Sequence, residues 1–316
     1  MRYTYTYRAI LLLLLSGLFA CCIAEDLSTC PPETEGVRLR FRLTPSDKND
    51  IEPDAISSLE IFVFDDSGIY RGKYRDDSPC VQDDSYCMDL PLAAGNYHFV
   101  AWGNTPGSDY THNPSSLIED IHQLADAQLS FLRQSTDTVD YMPGHLFHGS
   151  HLQTQLTRGT TQEVVIPITQ NTYTIHIEIA GLETPADLCQ AVISDEHDAY
   201  SFLNEPIPSA ALHYSIPCTL TGAEQHTTLR MLQLRDNSPA RLKVYDKLQT
   251  QLYDASLIEL IRQAGINSGT AMDLSRIHEY TVRLTFDYTL GEFTVTINGW
   301  NAQEGDHNIH PQSRMR

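Results

Sequence analysis

The sequence predicts an all-β protein built of two β-sandwich domains in tandem, with few short helices. Three observations carry this. Short runs of alternating or continuous apolar residues recur along the chain, rich in β-branched and aromatic side chains. Turn residues separate them at intervals too short for long helices. The 316 residues suffice for two ordinary domains.

The elements follow in chain order. Arg2 and Arg8 precede an apolar run, Ala9 to Ala20, that is interrupted only by Ser16 and Gly17. That run falls short of the roughly 20 residues a spanning helix needs, so it reads as a secretory signal peptide over residues 1–20. Leu18-Phe19-Ala20-Cys21 has the form of a bacterial lipobox, with a small residue before the acylated cysteine. Cys21 is therefore the expected lipidation site and Cys22 the alternative. Several acyl chains tether a protein stably. An acidic leader, residues 21–34, follows.

"VRLRFRL" (Val37 to Leu43) alternates strictly and predicts a half-buried strand; "LEIFVFD" (Leu59 to Asp65) is apolar throughout and predicts a central one. "NYHFVAWGN" (Asn96 to Asn104) suits a packed strand after Gly95. Ser116 to Leu132 predicts a short helix or a covering loop. The second block opens near Thr161 with "EVVIPI" and "YTIHIEIAG", and further strands are expected at Thr228 to Leu234 and Arg241 to Tyr245. Ala255 to Ala264 predicts the clearest helix, capped by Asp254 and ended by Gly265. "YTVRLTFDYTLGEFTVTINGW" (Tyr280 to Trp300) predicts two strands joined near Leu290-Gly291. The expected domains are 35–160 and 161–302, followed by a polar tail, 303–316.

The net charge of −20, more negative still without Arg2 and Arg8, argues against nucleic acid and against a basic membrane-binding patch. No CxxC pair occurs among the seven cysteines. In an exported chain disulfides are the default, and Cys80 with Cys87, and Cys189 with Cys218, are the candidate pairs. His145, His148 and His151, with His122 upstream, are the best metal candidates. Pro143, Gly144 and Gly149 disfavour a helix there, and on a strand a spacing of three alternates faces. No metal site is expected. The chain has no HExxH, no GxSxG and no phosphate-binding glycine loop. The carboxylate pairs Asp65-Asp66, Asp76-Asp77 and Asp83-Asp84 sit in polar loop contexts. No catalytic residues, no enzymatic activity and no cofactor beyond the covalent N-terminal lipid are expected.

Six stretches together resemble one family: "CIAEDLSTCP" (Cys22 to Pro31), "LEIFVFDDSG", "LPLAAGNYHFVAWGN" (Leu90 to Asn104), "LFHG" (Leu146 to Gly149), "ITQNTYTIHIEIAGL" (Ile168 to Leu182) and "FTVTINGW" (Phe293 to Trp300). They are similar, in that order, to the FimB-like fimbrial anchor lipoproteins of Bacteroidales. The resemblance implies transthyretin-like sandwiches and a non-enzymatic subunit at the base of a fimbria, lipid-anchored in the outer membrane and surface-exposed. It implies a fimbrial structural subunit, a fimbrillin, as partner, joined by β-strand addition. Its leader register points to Cys22, where the lipobox points to Cys21. The polar tail after Trp300 argues against a C-terminal donor strand. The alternative function is a surface adhesin that binds a glycan or a host protein.

Overall fold

The computed structural model describes residues 35–44 and 56–306, apart from 106, 108, 134–136 and 271. The signal peptide, both candidate lipidation sites Cys21 and Cys22, the leader and residues 307–316 lie outside the described residues.

The described chain opens with β1 (Gly36–Thr44), β2 (Leu59–Asp65), β3 (Tyr70–Asp76), β4 (Cys87–Leu90) and β5 (Gly95–Gly103). Three short strands follow: β6 (Tyr110–Asn113), β7 (Gln128–Phe131) and β8 (Thr138–Val139). β9 (Phe147–Leu156), β10 (Thr161–Gln170), β11 (Thr172–Ala180) and β12 (Gln190–Ser201) are long, as is β13 (Pro206–Tyr214). β14 (Thr219–Thr221), β15 (Glu224–Leu232), β16 (Arg241–Tyr245) and β17 (Gln251–Ser256) lead into the helix α1 (Leu257–Ser268). β18 (Glu279–Asp287), β19 (Glu292–Ile297) and β20 (Trp300–Asp306) close the described chain.

These strands form three sheets. The first runs β3-β2-β5-β9-β10-β1-β4, the second β14-β15-β11-β18-β19-β20, and the third β17-β16-β12-β13-β8, with β7 on β12 and β6 on β7. Alternation sets which face is buried. Val37, Leu39, Phe41 and Leu43 of β1 meet Ile61, Val63, Phe99, Ile166 and Ile168 in a core enclosed by the first sheet. A second core lies between the other two sheets, where Tyr173, Ile175, Ile177 and Ile179 of β11 face Ala191 and Ile193 of β12. It also takes in Phe62, Phe64, Val100 and Trp102 from the opposite face of β2 and β5. Strand β2 is thus buried on both faces, which explains its unbroken apolar sequence.

The sheets divide the chain elsewhere than at the expected boundary of 160/161. β10 belongs to the first sheet, because Val164, Ile166 and Ile168 fill its core and the strand pairs with β1, in parallel, from Gly36↔Thr161 to Thr44↔Thr169. β6, β7 and β8, by contrast, join the third sheet.

The helix also differs from expectation. Ser256, not Asp254, caps it, its hydroxyl accepting from the Glu259 amide at 3.3 Å. Asp254 lies in β17 and binds Arg241. The helix continues through Gly265 to Gly269, whose φ of 72° ends it. The stretch from Ser116 is a covering loop with one 3-10 turn, Leu124–Asp126, ahead of β7. Residues 303–306, expected in the polar tail, continue β20, which pairs with β19 and buries Ala302. An edge strand has one solvated side and forms without an apolar pattern.

Candidate functional site

Cys80, Cys87, Cys189 and Cys218, the candidates for two disulfides, stand as free thiols. The loop carrying Cys80 is closed by backbone bonds from Asp83 N to Cys80 O at 2.8 Å and from Tyr86 N to Asp83 O at 2.9 Å. Cys189 and Cys218 serve as small apolar side chains in the second core. Burial pushes the Cys189 thiol up to about 12, which disfavours the thiolate that oxidation requires.

The histidines disperse. His148 Nε2 donates to the Phe202 carbonyl at 3.0 Å, packed edge-on against Trp102. His145 Nδ1 lies 3.2 Å from Thr172 Oγ1, His151 Nδ1 lies 3.2 Å from the Val165 carbonyl, and His122 Nδ1 accepts from the Ile118 amide at 2.8 Å. Burial holds His145 and His148 near 4, hence neutral at pH 7. No group of three or more metal-ligating side chains forms among the described residues. A cavity of about 510 Å³ beside α1 is lined by Ile258, Ile261, Ile266, Met272 and Leu274, with Asp236 and Arg262; among the described residues its lining has no histidine, cysteine or serine.

The junction between the first sheet and the rest holds a charged cluster that sequence reading missed. Glu60 is almost fully buried and accepts from Lys73 Nζ at 2.8 Å, His112 Nε2 at 2.8 Å and Thr105 Oγ1 at 2.6 Å. Burial works to raise its carboxyl; those three hydrogen bonds outweigh it and hold the group at about 2. Phe62 packs against Phe202 and His112, so the cluster is walled by aromatic rings from both parts of the chain. Its sequence signal was available: a single acid inside the apolar run "LEIFVF".

Chemistry gives way here to edges. β3 carries Arg71, Lys73 and Arg75 on its exposed face, ion-paired to Asp65, Glu60 and Asp77. Charges along an edge deter pairing with another chain. At β20, Asn267 of α1 donates to the Asn301 carbonyl at 2.7 Å. β1 is different. β4 covers it only from Val37 to Arg40, so among the described residues Phe41–Thr44 have β10 on one side and no strand on the other. Phe41 and Leu43 point into the first core, and the Phe41 ring lies 5.7 Å from that of Tyr86.

A sequence profile described as fimbrillin-A associated anchor proteins Mfa1 and Mfa2 matches residues 27–306. The major fimbrium anchoring subunit FimB of Porphyromonas gingivalis is 28% identical over 254 residues, 75% of this chain and 79% of that protein. Among solved structures, the fimbrial anchor protein Mfa2 of P. gingivalis superposes with a TM-score of 0.71 at 16% identity, covering 85% of this chain and 99% of that one. A candidate adhesin from Bacteroides thetaiotaomicron also gives 0.71, at 21% identity, covering 87% and 99%. At such identities the structural likeness bears on fold alone.

Proposed function

The chain belongs to the family of fimbrillin-A associated anchor proteins, and from that premise we propose that it is an outer-membrane lipoprotein that holds a fimbria to the cell. In this reading the N-terminal lipid, on Cys21 or Cys22, is the tether, and a fimbrial structural subunit is the partner. The joint is strand addition at a sheet edge, where main-chain hydrogen bonds give affinity and alternating side chains give register. The single observation that carries the reading is the family match over nearly the whole chain.

The adhesin alternative gains less support. Trp102 is wholly buried in the second core, and Trp300 stands half-exposed on the edge strand β20.

The test is to express Cys21→Ser, Cys22→Ser and the double variant in the native host, following labelled-acyl incorporation and the fate of the fimbriae. The expected result is that one single variant and the double variant lose the lipid and shed fimbriae into the medium. Loss of lipid with fimbriae still cell-bound refutes the anchoring role.

A further inference from the structure

The cavity beside α1 is one continuous hollow with walls from three parts of the chain. Ile258, Ile261, Gly265 and Ile266 recur at helical spacing and form a stripe along α1. Met272 and Leu274, from the loop that follows the helix, make the second wall. Gly265 lets that loop close in, since a Cβ there would stand 3.0 Å from the Met272 amide nitrogen. Asp236, from the loop between β15 and β16, adds the third side. The hollow runs from solvent toward the core: Ile266 is 56% exposed, and Ile261 is buried.

Its charges are unequal. Arg262 is already paired, its Nε 2.8 Å from Glu259 Oε2. Asp236 is exposed, and its carboxylate has no ion-pair partner among the described residues. The guest that matches this site carries an apolar group with a cation beside it. A fatty acid offers the apolar chain but sets a second carboxylate near Asp236.

The matching pattern is in the chain itself. Residues 307–316 read "HNIHPQSRMR", with no acid and with Met315 between Arg314 and Arg316, in a protein of net charge −20. β20, which precedes them, lies against α1, where Asn267 donates to the Asn301 carbonyl at 2.7 Å. On a period of 3.6 residues Asn267 stands on the flank opposite Ile258 and Arg262, so the helix alone separates β20 from the cavity. An extended chain from Asp306 to Met315 reaches about 30 Å, against a helix about 10–12 Å across. A tethered segment meets its site at about millimolar effective concentration, so weak contacts suffice. The unbranched methionine side chain suits an irregular apolar hollow.

We propose that the cavity beside α1 is a docking site for residues 312–316 of the same chain, with Met315 seated against Ile258, Ile266 and Met272 and an adjacent arginine paired with Asp236. Docked there, the segment straps α1 to β20 across the solvent side of the helix and closes an apolar hollow that the described residues leave open.

The experiment uses the mature chain carrying Cys21→Ser and Cys22→Ser. Met315→p-benzoylphenylalanine is photolysed and the crosslinked peptides are identified by mass spectrometry. Crosslinks within one chain to α1, Met272 or Leu274, at a yield independent of protein concentration, are expected. Crosslinks elsewhere, none at all, or crosslinks only between two copies overturn the proposal. Benzophenone is bulkier than methionine, so a second measurement titrates the neutral apolar dye Nile red into variants that keep the parent's circular dichroism. Met315→Asp and Asp236→Lys should each raise dye binding at least fivefold. Asp236→Lys combined with Arg314→Glu and Arg316→Glu should return it toward the parent. Equal dye binding by the parent and Met315→Asp overturns the docking by itself, and failure of the charge reversal to restore exclusion overturns the pairing with Asp236.

Discussion

Replacing Glu60 with glutamine tests the charged cluster at the junction. A carboxyl held at about 2 against an ordinary 4.5 stabilises the fold by about 3 kcal/mol at neutral pH. Because the folded value is depressed, that contribution is complete above about pH 5 and is lost as the pH falls through 2. Glu60→Gln removes it and leaves Lys73 and His112 facing a neutral amide. Lys73 is 39% exposed and recovers hydration, whereas the His112 side chain is only 14% exposed and recovers little. A loss of about 3 kcal/mol at pH 7 follows. The assay is urea unfolding of the chain carrying Cys21→Ser and Cys22→Ser, at intervals from pH 7 to pH 2. The parent should lose stability steeply below pH 5, and the variant should start lower and fall less. Parallel curves for the two proteins would refute the assignment of the low carboxyl pKa to Glu60.

Two further outcomes follow from the same physics. His148, held near 4 by burial, should contribute stability that is complete above about pH 6.5 and is lost as the pH falls through 4; His148→Gln should flatten the melting-temperature profile across that window. Gly181 has a φ of +74°, and a Cβ there would sit 1.9 Å from the Phe286 carbonyl oxygen, so Gly181→Ala should cost more than about 3 kcal/mol by chemical denaturation.

Much of the fold was legible because alternation is a local signal. β1, β11 and β18 announce themselves within nine residues each, and β2 reads as a central strand from its continuous apolar run. β12 and β13 did not. "SDEHDAYS" places Asp195, Glu196, His197 and Asp198 in a strand that ends deep in the core, where register shifts between Asp195 and Ala199 disturb the alternation. Asp195 and His197 are buried as a pair, their side chains 3.3 Å apart, so their polarity hides a core strand. The membership of β10 depends on pairing with β1, more than a hundred residues earlier, which no local pattern records. The family was legible from the order of its motifs. The charged cluster around Glu60 was not, since Lys73, Thr105 and His112 reach it from three separate parts of the chain.

The parallel pairing of β1 with β10 has a mechanical consequence. The chain enters β1 at Gly36 from the N-terminal leader, and it leaves β10 at Gln170 directly into β11 of the other part of the molecule. A force pulling Gly36 away from the chain beyond Gln170 would drag these neighbouring strands in opposite directions along their length. Their ladder would be loaded in shear, every rung from Gly36↔Thr161 to Thr44↔Thr169 strained together, instead of being peeled one rung at a time. Bearing such a load is a property of topology, set by which ends of two adjacent strands face the pull.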